Sequence, residues 1–166
     1  TVVESVLYPV LDHVNGYLSS DGTIHVTYTP DATLSQLKRS DGSIGTVTIK
    51  RVGLKAMVYE GATSDSMSKG AGHYASSSLW SGNVGLFGHN RGGSVAHFAE
   101  LKDVKVGDTV TYTTNLGTKT YSVTFVGSIS NTDYSYLNEM GDNRITMITC
   151  IANQPSLRLC VQAVEI

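Results

Sequence analysis

A chain of 166 residues with net charge -2 and 16% charged side chains is one ordinary domain, able to bury a core and without the broad basic surface that nucleic acid or anionic membrane requires. Glycine at 17 and tyrosine at 9, against 3 prolines, favours short strands joined by glycine turns. Two cysteines suit neither a disulfide scaffold nor a four-ligand zinc site.

Val3, Val6, Leu7, Val10, Leu11 and Val14 follow a helical spacing that Pro9 starts or kinks. Asp21-Gly22 marks a turn, and Ile24, Val26 and Tyr28 then alternate with polar residues as on a half-buried strand that Pro30 ends. Thr33 to Arg39 has room for a helical turn or two, and Asp41-Gly42 is the candidate boundary. From Ile44 the texture is β. Strands are expected at Thr46 to Lys50, Leu54 to Tyr59, Val84 to Phe87, Thr109 to Thr114, Lys119 to Ile129, Arg144 to Cys150 and Leu157 to Ile166. Ser64 to Ser78 reads as loop with a short helix, and Phe98 to Leu101 as one helical turn. About eight short strands at this spacing fit an all-β closed barrel or a sandwich. The division is an N-terminal appendage, residues 1–43, and a β-barrel domain, residues 44–166. No apolar run reaches the ~18 residues of a membrane span, and no charged-then-apolar leader is present. The chain starts at Thr1 rather than Met and is read as a piece of a longer protein.

Cys150 ends the apolar strand Ile145-Thr146-Met147-Ile148-Thr149-Cys150, where a thiol faces a loop opening. A lone cysteine is more often a small core residue, and only a thiolate in an electropositive setting is reactive. Arg158 follows on the returning strand, after a reversal containing Asn153 and Pro155. If the two strands pair, Arg158 lies beside Cys150, with Cys160 and Gln162 on the same face; Leu157, Leu159, Val161 and Ala163 take the other. An arginine there suits an oxyanion or a thiolate, though an exposed strand arginine is the commoner outcome. Among the 5 histidines, His89 ranks first because it follows a short strand and opens a glycine-rich loop. His73 also follows a glycine, His25 alternates on a strand, and His13 and His97 have weaker settings.

Together these segments resemble the sortase family. Ile44-Gly45-Thr46-Val47-Thr48-Ile49 is similar to its opening strand, and Val58-Tyr59-Glu60-Gly61 and Gly70-Ala71-Gly72-His73-Tyr74 to the segments that follow. Gly88-His89-Asn90 resembles the histidine motif, Phe98 to Val110 with Gly107-Asp108 the stretch after it, Thr146-Met147-Ile148-Thr149-Cys150 the Thr-Leu-x-Thr-Cys signature, and Arg158-Leu159 the arginine motif. The likeness runs from Ile44 to the C-terminus. Leu79-Trp80-Ser81-Gly82 departs from a common Pro-Gly pair, Met147 replaces leucine, and the loop from Cys150 to Arg158 is short.

The resemblance implies a closed sortase-type barrel and a cysteine transpeptidase. Cys150 would attack the Thr-Gly carbonyl of an LPxTG-like signal, His89 would move the protons, and Arg158 would hold peptide or oxyanion. Thr149 and Asn90, beside them in the motifs, are the implied substrate-binding positions. The partners implied are the sorting-signal peptide of secreted surface proteins and an amine acceptor, either a cell-wall peptide or a pilin lysine. No nucleic acid is implied, and a membrane only through an anchor outside this sequence, which puts the domain at the extracellular face of the cell membrane. The chemistry requires no metal and no cofactor. A cysteine hydrolase of the same fold and a non-catalytic barrel module are the rival readings. A pilin-polymerising subclass usually has an Asp-Pro-aromatic lid; Tyr8-Pro9-Val10 is the nearest segment before Ile44 and a poor match.

Overall fold

The computed structural model describes residues 13–18, 20, 24–29 and 31–166. Strands β1 (His13–Leu18) and β2 (Ile24–Thr29) pair antiparallel, His13 opposite Thr29, in a two-stranded sheet of their own. After helix α1 (Leu34–Leu37), eight strands close a barrel: β3 (Gly45–Ile49), β4 (Leu54–Glu60), β5 (Ala71–His73), β6 (Asn83–Phe87), β7 (Thr109–Thr114), β8 (Gly117–Ser130), β9 (Arg144–Cys150) and β10 (Leu157–Glu165). Their order around the barrel is β10-β8-β7-β3-β4-β5-β6-β9. Helix α2 (Ser64–Lys69) makes the connection between β4 and the parallel strand β5.

The closed barrel of about eight strands is the fold the sequence led us to expect, although β5 lies inside the stretch from Ser64 to Ser78 that reads as loop with a short helix. The N-terminal helical spacing fares differently. Val14 lies on strand β1, where its partner is Tyr28, and the rest of that pattern, with Pro9 and the Asp21-Gly22 turn, lies outside the described residues. At Val14, the last position of that spacing, cross-strand pairing decides the local structure.

Alternation along the strands fills the barrel. Val47 and Ile49 of β3, Val110 and Tyr112 of β7, Ile145 and Met147 of β9, and Val161 and Ala163 of β10 all belong to the interior core. Tyr112 takes the space a side chain at Gly45 would need, since a Cβ there would lie 2.6 Å from its ring. The opposite faces of β9 and β10 hold a second, smaller core outside the barrel. Ile148 and Cys160 pack there with Ile129 and with Leu137, which comes from the β8–β9 connection.

The stretch from Asp31 to Ser43 is bonded into the barrel. Leu37 is wholly buried in the interior core. The Asp31 carboxylate accepts from the backbone N–H groups of Leu79, Trp80 and Ser81 at 2.6–2.9 Å. Arg39 donates to the Thr46 hydroxyl and the Thr113 carbonyl. No helix among the described residues is long and apolar enough to cross a membrane.

Candidate active site

Two strand pairings bring the predicted residues together. In the β9–β10 hairpin Arg158 stands opposite Cys150 and Cys160 opposite Ile148. The turn between them places Asn153 at φ 61°, a left-handed conformation that asparagine tolerates better than most residues. On the other side, β9 runs parallel to β6, with Phe87 opposite Ile148. Parallel strands end at the same rim, so the residues following Phe87 emerge beside the end of β9. Alternation then sends Phe87 and His89 outward with Ile148 and Cys150, while Gly88 faces inward with Thr149.

Three hydrogen bonds fasten that rim. The Gly88 N–H donates to the Ile148 carbonyl at 3.2 Å. The buried Thr149 hydroxyl donates to the Gly88 carbonyl at 2.7 Å. The Asn90 side-chain amide donates to the Cys150 carbonyl at 2.7 Å. His89 is therefore held between two neighbours that are each bonded to the end of β9. Phe98 completes the support: its N–H donates to the His89 carbonyl at 2.9 Å, and its ring occupies the place of a Gly88 side chain, 2.6 Å from a would-be Cβ. Gly88 is thus a close-approach glycine, which its neighbour's motif role concealed in the sequence.

Cys150 is exposed and its thiol is free. It lines two hollows. The first, about 280 Å³, lies on the outer wall. His89, Arg158, Phe87, Ile148 and Ile129 meet there with Asp133 and Tyr134 of the β8–β9 connection. Ser135 bonds the Asp133 carboxylate through backbone N–H and hydroxyl and holds it below the usual carboxylate range. Arg158 turns its Nη1 to the carbonyls of Pro155, at 3.0 Å, and Leu157, at 2.8 Å. The second hollow, about 430 Å³, lies at the barrel mouth between Asn90, Arg91, Phe98, Lys102, Ile151 and Leu159.

His89, Cys150 and Arg158 are thus gathered at one hollow. Asn90 borders the second hollow and Thr149 borders both, and the Asn90 amide nitrogen and the Thr149 hydroxyl each donate to one of the backbone carbonyls above. His73 is elsewhere. It is buried in the wall, with Nδ1 2.8 Å from a Glu60 carboxylate oxygen and Nε2 2.8 Å from the Ser78 carbonyl. His97 lies near Ser68, with Nε2 3.2 Å from its carbonyl. Sequence reasoning did not find Phe98's support of Gly88, or the contribution of Asp133 and Tyr134. The only available signal for the latter was a polar, irregular stretch between two strands.

A closed barrel with cysteine, histidine and arginine side by side at one rim defines a class of protein. Residues 47–166 match the family model described as the Sortase domain, and the chain belongs to the sortase family. Members of that family are cysteine transpeptidases. The chain is 27% identical to Sortase A of Bacillus anthracis over 110 residues, 66% of this chain and 52% of that protein. It is 29% identical to Sortase A of Listeria monocytogenes over 111 residues, 66% of this chain and 50% of that protein. The chain therefore spans about half the length of these curated relatives. Among solved structures, the lid-mutant of Streptococcus agalactiae Sortase C1 superposes with a TM-score of 0.73 at 26% identity, covering 78% of this chain and 72% of that one. Listeria monocytogenes sortase A superposes with a TM-score of 0.70 at 26% identity, covering 76% and 88%.

Proposed function

We propose that this domain is a transpeptidase that cleaves an LPxTG-like sorting signal between Thr and Gly and joins the new acyl end to an amine. The observation that carries the reading is the convergence of Cys150, His89 and Arg158 on one outer-wall hollow. In the first half-reaction the Cys150 sulfur attacks the Thr carbonyl. The C–S bond forms, the C–N bond to Gly breaks, and His89 gives its proton to the departing amine. In the second, an acceptor amine attacks the thioester. The C–N bond forms, the C–S bond breaks, His89 takes the amine proton, and Cys150 leaves as thiolate. Arg158 turns from the loop carbonyls of Pro155 and Leu157 towards the peptide or its oxyanion.

Thr149 and Asn90 act in this scheme as positioning residues, because their bonds hold the His89 loop against the end of β9. The apolar floor of Phe87, Ile129 and Ile148 suits the leucine and proline of the signal, and the β8–β9 connection forms the wall above it. Residues 44–166 carry the chemistry and 1–43 are an appendage, whose part from Asp31 onward is bonded to the barrel and sends Leu37 into its core. The reading places the domain at the outer face of the membrane, with surface proteins as donors and a cell-wall peptide or pilin lysine as acceptor.

Mass spectrometry of the intact protein with a panel of Leu-Pro-x-Thr-Gly peptides is the test. A thioester-sized adduct on Cys150 that discharges into an amide when an amine is added supports the reading. Discharge to acid alone, whatever amine is present, makes the domain a hydrolase instead.

A further inference from the structure

The two hollows that meet at Cys150 differ in kind. The outer-wall hollow has an apolar floor and sets one cation, Arg158, against one anion, Asp133. The mouth hollow has two cations, Arg91 and Lys102, and no acidic residue among those that line it. Among the described residues neither Arg91 nor Lys102 forms an ion pair. Both project from the segment after β6, which the Phe98 bonds hold in place. The floor between them and Cys150 is the Phe98 ring and Leu159, with Asn90 and Ser128 as polar neighbours. This hollow reaches Cys150 from the barrel-mouth side, whereas the three groups of the acyl-transfer site face the outer wall.

A two-step acyl transfer needs two approaches to one sulfur, because the acylated peptide still fills the first groove when the second substrate arrives. Resting on the transpeptidase reading above, we propose that the mouth hollow is the acceptor site, and that it selects amines carrying an anionic group, a carboxylate or a phosphate, which Arg91 and Lys102 receive. Two unpaired cations over a low-dielectric floor repel a bare ammonium and attract an anion. A substrate that carries both charges is therefore oriented with its anion on the cations and its amine turned to the thioester. Arginine binds a carboxylate or phosphate through two parallel N–H bonds, which fixes direction as well as affinity. The amine then attacks the thioester carbonyl, the C–S bond breaks, and the displaced proton passes to His89 on the opposite side.

The test compares acceptors that differ only in the anion. Acyl-enzyme formed with a Leu-Pro-x-Thr-Gly peptide is discharged with lysine or with cadaverine, which lacks the carboxylate, and with phosphoethanolamine or ethanolamine. Lysine should be preferred over cadaverine by about tenfold in kcat/KM, the effect of one good charge-assisted contact. A larger preference in the phosphate pair would make phosphate the natural anion. In the Arg91→Gln/Lys102→Gln double variant the preference should fall to about one, and the thioester on Cys150 should persist. Equal use of each pair by the parent protein, or a preference the double variant keeps, overturns the proposal while leaving the transpeptidase reading intact. Absence of any Cys150 adduct overturns both. A titration independent of the donor peptide adds a second readout: lysine, and not cadaverine, should shift the backbone amide resonances of Asn90, Ile151 and Ala152. No lysine-specific shift there counts against the site.

Discussion

Cys150 and Cys160 lie on the same face of adjacent strands, two ladder positions apart, yet one is exposed at the rim and the other is sealed in the wall. Two histidines divide in the same way. His89 is half-buried on the rim loop, while His73 is buried with both ring nitrogens occupied by Glu60 and Ser78. Residue type alone does not decide reactivity. What separates the members of each pair is whether the side chain opens onto the hollow or is packed among neighbours in the wall. β9 ends at Cys150 and β6 ends two residues before His89, so both emerge from the ladder into the hollow. Cys160 and His73 have neighbours on every side.

The sharpest way to break this contrast is to remove the rim thiol. Cys150→Ala should lower acyl transfer by about 10⁵-fold or more, the scale seen when a covalent nucleophile is deleted. Its melting temperature should stay near that of the parent, because an exposed side chain contributes little to stability. Transfer retained above a hundredth of the parent rate would end the assignment of Cys150.

Next come the histidines. His89→Ala should lose roughly 10²–10⁴-fold in kcat/KM, the usual worth of a general acid–base, with little change in unfolding. His73→Ala should show the reverse: a stability loss of about 2 kcal/mol, because it empties a buried site and strips the Ser78 carbonyl and Glu60 of a partner, with activity per folded molecule largely kept. Paired denaturation and rate measurements decide it. Equal activity losses would mean that the wall histidine, too, takes part in proton transfer.

Arg158→Lys is a smaller perturbation of the same rim. It keeps the charge and discards the planar fork of donors, so a loss of roughly 10²-fold in kcat/KM is expected, in the range of one oxyanion donor. Near-parent turnover would reduce Arg158 to a general electrostatic role.

The hairpin was the most legible part of this molecule in its sequence. Seven residues separate Cys150 and Arg158, a short loop leaves few registers, and period-2 alternation then assigns every face; the observed pairing of Arg158 with Cys150 and Cys160 with Ile148 is the expected one. His89 stood out because a glycine-rich loop after an apolar strand is a local feature. The rest depended on partners distant along the chain. The parallel β6–β9 pairing, which puts His89 beside Cys150, joins segments about sixty residues apart and leaves no local pattern. The second core under the β8–β9 connection was equally hidden, because Leu137 and Tyr136 come from an irregular stretch whose docking no periodicity announces. The Glu60 partner of His73 follows from the parallel β4–β5 pairing, which sets the two residues opposite each other. At the N-terminus only Val14 of the helical spacing is described, and it lies on a strand because Tyr28 pairs with it across the sheet.

The smallest expected effect sharpens the comparison most directly, because it probes the two thiols together. Cys150 and Cys160 should not be joined by a disulfide. Their ladder positions are diagonal, and diagonal neighbours sit about 7–8 Å apart, beyond the ~3.5–4.5 Å Cβ separation a disulfide needs. Freshly purified, unreduced protein should therefore give one adduct with iodoacetamide when native and two when denatured. The native count should stay at one between about pH 6 and 9, since burial pushes the Cys160 thiol up to about 12 and leaves it protonated as well as inaccessible. The same shift has a sign in stability. Above the ordinary thiol range the unfolded chain releases the Cys160 proton while the folded chain keeps it, so the unfolded state binds fewer protons and stability falls as pH rises towards about 12. Cys160→Ala should lose a little stability at neutral pH through the small void it leaves, and should decline less steeply with pH than the parent on the alkaline side. Parallel alkaline slopes would show that Cys160 ionises as readily in the wall as in the unfolded chain. Two native adducts would show that the wall opens at Cys160, and the distinction between rim and wall would no longer hold for the thiols.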